Sequence, residues 1–170
     1  MKTRLLFLLT ISLLIQSCSK TAIATDEELL IANEIASVPT NEIDEADTSE
    51  MEKEIKKIID EHRQAMGLKK LKFNGIVYKY AESHNEYMIS NKVLDHGNFK
   101  DRANKIANKI NIKQIEENIA RNFATAEELV NDWLESDSHR ETLEGNFTHA
   151  AISAKKDADG NYYFTHIFFR

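Results

Sequence analysis

The chain has 170 residues, which is enough for one ordinary domain and an additional segment. Its apolar fraction of 42% and charged fraction of 29% are typical of a globular protein. The formal net charge of -6 and the lack of any run of basic residues argue against a nucleic-acid partner. A single cysteine excludes a disulfide framework and every cysteine-based structural zinc site.

The beginning of the chain has the features of an export signal. Lys2 and Arg4 precede an apolar run over residues 5–15, which is too short to span a bilayer as a helix. Residues 15–18, with the sequence IQSC, resemble the end of a bacterial lipoprotein signal, where cleavage precedes a cysteine that is then lipidated. We therefore predict a signal peptide over residues 1–17 and a lipidated Cys18. This anchor would hold the protein on the extracytoplasmic side of a membrane, at the bacterial outer membrane or cell surface. An ordinary exported protein with a free thiol is the alternative.

Residues 18–50 are predicted to form an acidic, flexible tether. Between Ser19 and Glu50, nine acidic residues accompany a single basic residue, and no aromatic residue is present. Such a segment cannot bury enough apolar surface to fold alone, although a brief helix near residues 29–35 is an open alternative. Residues 51–170 contain equal numbers of acidic and basic residues and are predicted to form the folded domain.

Capping residues and apolar spacing predict four helices in this domain, which start near Ser49, Asn74, Phe99 and Thr125. The third helix is expected to run to Ile110. The pattern Ser138-x-x-Glu141 predicts a short fifth helix that is capped by Ser138, begins with His139 and ends at Gly145.

The apolar period changes to two near the end of the chain. Residues 147–155 and 162–169 are predicted to be strands, joined by a hairpin turn at residues 157–160. The last strand is apolar on both faces, which is typical of a strand inside a sheet that is covered on both sides. Helices followed by a hairpin and a doubly covered sheet predict an α+β fold, a three-layer α/β/α sandwich.

Four short stretches combine into one pattern: AESHNEYM at 81–88, LDHG at 94–97, ENIA at 117–120 and WLESDSHR at 133–140. In order and spacing they resemble the CAP superfamily (cysteine-rich secretory proteins, antigen 5 and plant pathogenesis-related proteins), in its bacterial, cysteine-poor SCP-domain branch. The resemblance covers about residues 51–170. It implies an α/β/α sandwich with a large central cleft that is lined by two histidines and acidic residues, where some members bind a divalent metal.

The resemblance places four residues of this chain at the cleft: His96, Glu117, Ser136 and His139. Ser136 stands where animal members often have glutamate, Glu116 replaces a usual glycine, and residues 137–138 replace a common Pro-Gly. Two imidazoles and a carboxylate would suit an open site for zinc or a similar ion, so His96, His139 and Glu117 are candidate metal ligands. A position at a helix start would favour the neutral ring of His139, the form that binds a metal.

The sequence contains no HExxH, P-loop, dinucleotide-binding or GxSxG motif, so no organic cofactor and no catalytic residue is assigned. We predict an anchored extracytoplasmic CAP/SCP-domain protein that binds a small molecule, a lipid or an envelope partner in its cleft. The alternative is a metal-dependent, peptidase-like hydrolase of envelope or secreted substrates, with Glu117 as general base. A serine hydrolase built on Ser136 or Ser138 with His139 is less favoured, and a purely structural domain is the third option.

The remaining histidines are assigned lesser roles. His84 shares an apolar helix stripe and is predicted to be a buried, hydrogen-bonded histidine, whereas His62 is expected to be structural. His149 and His166 lie on the predicted hairpin strands, where either could flank the cleft.

Overall fold

A computed structural model describes residues 43–170. Over this range, a 3-10 helix at Glu45–Asp47 is followed by helices α1 (Glu50–Ala65), α2 (Gly75–Asn91), α3 (Phe99–Ala107), α4 (Ala126–Glu135) and α5 (Asp137–Leu143), and by strands β1 (Lys72–Phe73), β2 (Ile115–Arg121), β3 (His149–Lys156) and β4 (Tyr162–Phe169). The predicted signal peptide, Cys18 and most of the predicted tether lie outside the described residues.

The four strands form one sheet in the order β1-β3-β4-β2. Strand β4 pairs antiparallel with both β3 and β2, whereas β1 pairs with β3 in parallel. Strand β4 therefore lies inside the sheet, as its apolar residues on both faces predicted, and β2 lies at an edge. Helix α2 packs against β3 and β4, whereas α1 packs against β3 and α4.

Apolar side chains fill the space between the sheet and the helices on each face. Because successive strand residues point to opposite faces, Phe164 and Phe168 of β4 pack with Trp133 of α4, whereas Tyr163 packs with Met88 of α2. The α/β/α sandwich predicted from the sequence is thereby confirmed. Asn85 of α2, which is fully buried, bonds both central strands: its Nδ2 donates to the Ser153 carbonyl at 2.9 Å and its Oδ1 accepts from Thr165 Oγ1 at 2.7 Å.

The helix starts follow the predicted caps with one exception. The capping boxes at Ser49 and Thr125 are both present, and the Asn74 Oδ1 accepts from the Val77 N–H at 3.0 Å. The prediction that Ser138 caps the short helix is wrong, because α5 begins at Asp137 and its N-cap is Ser136, which makes no side-chain capping bond. His139 is consequently the third residue of α5 rather than the first. Helix α3 ends at Ala107, before the predicted Ile110.

The end of the segment that was assigned to the tether is folded against α1. Asp44 caps the 3-10 helix, and the Glu45 carboxylate lies 3.2 Å from Lys56 Nζ of α1. Thr48 is buried, and a Cβ atom at Gly75 would lie only 2.6 Å from the Ile43 carbonyl oxygen. The packed structure therefore includes residues that precede the predicted domain start at residue 51.

Candidate functional site

A cleft of about 470 Å³ lies beside edge strand β2. Its walls come from the loop before α3, from β2 and the residue before it, from α5 and from the loop after α5: His96, Gln114, Glu116, Glu117, Asn118, Ser138, His139, Glu141, Thr142, Gly145 and Phe147. Three of the four residues that the family resemblance selected line this cleft. Ser136 does not line it, although its hydroxyl lies 3.4 Å from that of Ser138.

Because the side chains of β2 point alternately to opposite faces of the sheet, its polar residues face both helix layers of the sandwich. Glu117 points toward α3, where it meets Arg102, and Asn118 points toward α5, where its Nδ2 donates to the His139 carbonyl at 3.1 Å. One edge strand thus contributes to both halves of the cleft. Both residues are almost completely buried, so their hydrogen-bond partners fix their positions.

Glu117 is the buried centre of a polar cluster. Arg102 donates from Nε to Oε2 at 2.9 Å and from Nη2 to Oε1 at 2.7 Å, and His96 donates from Nδ1 to Oε1 at 2.9 Å. Burial by itself would raise the pKa of the Glu117 carboxyl, but the hydrogen bonds from His96 and Arg102 outweigh it and lower that pKa below its ordinary value. The carboxylate is therefore ionised at neutral pH.

His84 lies behind this cluster as a buried, neutral ring. Its Nε2 donates to the Asp95 carbonyl at 3.0 Å and lies 3.8 Å from Glu117 Oε1, and its ring stacks on Tyr87. Burial, together with the nearby charge of Arg102, lowers the pKa of His84 to about 4. The prediction of a buried, hydrogen-bonded histidine is confirmed.

His139 forms part of the opposite wall. Burial, and to a smaller extent the charge of His96, lowers its pKa below the ordinary value, so the ring is neutral at pH 7. Its Nδ1 is buried and has no hydrogen-bond partner within residues 43–170, and its ring centroid lies 6.2 Å from that of Trp133. His139 can therefore present Nε2 to a ligand in the cleft.

The three candidate metal ligands do not assemble into a metal site in this conformation. Among the residues that the structure describes, no group of three His, Cys, Asp or Glu side chains is arranged to hold a metal ion. Both oxygens of Glu117 already accept hydrogen bonds from the guanidinium of Arg102. The donor set therefore does not fit a metal that is coordinated by His96, Glu117 and His139 together.

The other histidines lie away from the cleft walls. His62 Nε2 is 2.9 Å from Glu144 Oε1, and His149 Nδ1 is 2.8 Å from Thr148 Oγ1. His166 is buried in β4, with its ring centroid 6.1 Å from that of Trp133. None of these three rings lines the cleft.

Arg102 belongs to the site, although no motif in the sequence marks it. The available signal was its position on α3, four residues before Ile106, which places both residues on the same, buried side of the helix. A buried arginine requires an acidic or carbonyl partner, and a search for such a partner leads to Glu117. Gln114, Thr142 and Phe147 of the cleft wall also carried no motif, and Glu141 was selected only as part of a helix-capping pattern.

Comparisons with known proteins agree with the fold. An outer surface protein from Borrelia burgdorferi superimposes with a TM-score of 0.66 at 24% identity, covering 73% of this chain and 95% of that one. A cysteine-rich secretory protein from Staphylococcus aureus gives a TM-score of 0.61 at 23% identity, covering 76% and 41% of the two chains. An extracellular protein containing a SCP domain from Bacillus anthracis gives 0.59 at 24% identity, covering 69% and 39%. At these identities the likeness shows a shared fold.

Two proteins of Bacillus subtilis (strain 168) are similar in sequence. The uncharacterized protein YkwD is 30% identical over 143 residues, which cover 81% of this chain and 51% of YkwD. The uncharacterized membrane protein YlbC is 30% identical over 118 residues, which cover 66% of this chain and 32% of YlbC. This chain thus spans about half the length of the first relative and a third of the second.

The family model that matches this chain is CAP, described as the cysteine-rich secretory protein family, and the match covers residues 57–168. These residues include α2, the loop before α3 that carries His96, β2, α5 and most of the terminal hairpin. The chain therefore belongs to the CAP, or cysteine-rich secretory protein, family.

Proposed function

We propose that this protein binds a polar ligand or an envelope partner in the cleft beside β2 and has no catalytic role of its own. The observation that supports this function is the composition of the cleft wall, in which every residue except Gly145 and Phe147 has a polar side chain. Such a wall offers hydrogen bonds and little apolar area, so it favours a glycan or a peptide over a lipid.

The electrostatics of the cleft support recognition by hydrogen bonds. The charge of Glu117 is balanced by Arg102, and the two imidazoles line the cleft as hydrogen-bonding rings rather than as a metal clamp. His139 is neutral at pH 7 and can donate or accept, depending on its tautomer. A ligand that carries both donors and acceptors, such as an amide or a sugar, would satisfy these walls.

Ligand binding can be tested with soluble glycan fragments and short peptides, followed by NMR shifts of the cleft amides in the full chain. A His96→Ala, His139→Ala double variant is expected to lose the binding. His149→Ala is the matched control, because that ring does not line the cleft. Binding of a fatty acid but of no glycan or peptide would contradict the proposed ligand class. Equal binding by the double variant would contradict the proposed site.

The proposed location is the extracytoplasmic face of a membrane, with a lipid on Cys18 as the anchor. Two similar structures are described as an outer surface protein and an extracellular protein, and this supports an exported location. Within residues 43–170, no helix is both long enough and apolar enough to cross a membrane. Mass spectrometry of the protein from its native membrane tests the anchor. A mature chain that begins at an acylated Cys18 is expected, and an unmodified cysteine would contradict it.

The metal-dependent hydrolase is the weaker proposal. It needs Glu117 as a free general base for a metal-bound water, whereas the Glu117 carboxylate accepts a bidentate arginine and a histidine. Chelator-sensitive peptide cleavage that disappears in His139→Ala would support this hypothesis over simple binding.

A further inference from the structure

Arg102 is a buried cation whose role in the proposed function is so far only to balance the charge of Glu117. It extends from α3 into the interior, where it is only 8% exposed, and it reaches both oxygens of Glu117. Its third donor, Nη1, bonds the Gly97 carbonyl at 2.9 Å. Because Gly97 follows His96 directly, Arg102 ties the loop that carries the cleft histidine to strand β2.

This arrangement determines what Glu117 can do. A guanidinium that bonds both oxygens of a carboxylate fixes its plane, and the charge of the pair is balanced. The remaining lone pair of Oε1 accepts from His96 Nδ1, so the proton on Nδ1 is held toward Glu117, and in the neutral form of the ring Nε2 is left as an acceptor. A divalent cation at Glu117 would have to displace the guanidinium or approach it closely against charge repulsion.

We propose that Arg102 occupies the position of a metal ion at Glu117 and is the positioning residue of the cleft. Through Glu117 it orients His96 as a hydrogen-bond acceptor for the ligand, and it excludes Glu117 from metal coordination. The inference rests on the proposed function, since it treats the cleft as the ligand site. It differs from that function in its readouts, which are zinc affinity and the tautomer of His96.

The test compares Arg102→Gln and Arg102→Lys with the wild-type full chain. Gln removes both the charge and the bidentate contact with Glu117, whereas Lys keeps the charge but cannot make the bidentate contact. Arg140→Gln is the matched control, because it removes a positive charge from α5 without touching Glu117. Zinc binding is measured by titration calorimetry at pH 7.5. The His96 tautomer is read from long-range proton–nitrogen NMR correlations at the same pH.

We expect the wild type and Arg140→Gln to bind zinc equally weakly and to show the Nδ1–H tautomer of His96. Arg102→Gln is expected to bind zinc about tenfold more tightly or better, with the gain lost when His96→Ala is added, and to show a mixture of tautomers. Arg102→Lys should continue to exclude zinc while losing part of the tautomer preference. This combination of results distinguishes the effect of the Arg102 charge on zinc binding from the effect of its bidentate contact on the His96 tautomer.

Two results would overturn the inference. One is tight zinc binding by the wild type with loss of the His96 signal of the Nδ1–H form. The other is an unchanged zinc affinity and an unchanged His96 tautomer in Arg102→Gln. If Arg102→Gln does not fold, the wild-type zinc titration and the tautomer in Arg102→Lys decide the question. Failure of the glycan and peptide binding tests would leave both readouts intact and would count against the proposed function alone.

Discussion

The buried imidazole of His166 predicts a fold that is sensitive to acid. His166 lies in β4 and is 3% exposed, and its ring centroid is 3.9 Å from that of Phe168. Its Nδ1 has no hydrogen-bond partner in the described part of the chain. Burial above all, and then the charges of Lys56 and Arg63, lower the pKa of His166 from 6.5 to about 3.

The sign and size of the effect follow from this difference in pKa. Below pH 6.5 the unfolded chain binds a proton at His166, whereas the folded protein does not bind it until the pH approaches 3. Between these values, each decrease of one pH unit lowers the free energy of unfolding by about 1.4 kcal/mol. From pH 7 to pH 5 the loss due to His166 alone is about 2 kcal/mol. Above pH 7, His166 is neutral in both the folded and the unfolded chain, so it no longer contributes to the pH dependence of the free energy of unfolding.

The assay is urea unfolding at pH 7, 6 and 5 for the wild type and for His166→Phe. Phe keeps a flat ring between Trp133 and Phe168 but cannot titrate, so its free energy of unfolding should fall by about 2 kcal/mol less than that of the wild type. His84, whose pKa is also lowered, is present in both proteins and cancels in the comparison. Equal pH dependence in both proteins would refute the reasoning. His149→Phe, at a less buried ring, is the control.

Three further substitutions test the packing of the folded domain. Arg63→Met leaves the carbonyls of residues 69, 143, 145 and 147 without the guanidinium that donates to them. The free energy of unfolding in urea should therefore fall by about 3 kcal/mol or more, and a fall of less than about 1 kcal/mol would contradict this. Glu52→Ala removes a capping box and the acceptor of the Ala154 N–H, at a cost of about 2 kcal/mol, and an unchanged urea midpoint would speak against it. Gly145→Ala places a Cβ atom well inside van der Waals distance of the Phe147 ring. Overpacking of this kind costs about 1–3 kcal/mol, so the melting temperature should fall. An unchanged melting temperature would show that the ring moves away without cost.

The parts of the fold that depend on local chemistry were predictable from the sequence. The capping boxes at Ser49 and Thr125 bond the first turns of their own helices, so a window of four residues contains all the information. The apolar alternation of β4 likewise reports burial on both faces of one strand. Ser138 failed as a cap because α5 begins one residue before it, and the N-cap position falls on Ser136, which makes no side-chain capping bond that a sequence pattern could reveal.

Strands β1 and β2 were not predicted, because their stability comes from distant partners. β1 has two residues and exists only through its parallel pairing with β3. β2 contains Glu116, Glu117 and Asn118 in succession, a pattern that shows no apolar alternation. Two of these three residues are buried, and their partners lie in α3 and α5. Such pairings, which include Arg102 with Glu117, are decided by tertiary structure and cannot be derived from a periodic pattern.

The register of β2 connects the fold to the site. Glu117 is opposite Ile167 and Asn118 is opposite His166 in the pairing with β4. A shift of one residue would exchange the faces of Glu117 and Asn118, since side chains alternate along a strand. In the direction that brings Asn118 to the position of Glu117, the amide would face the guanidinium of Arg102, and this buried charge would lose its partner. The same ion pair that orients His96 therefore also opposes this shift of the edge strand, so one buried contact contributes to both the strand register and the geometry of the cleft.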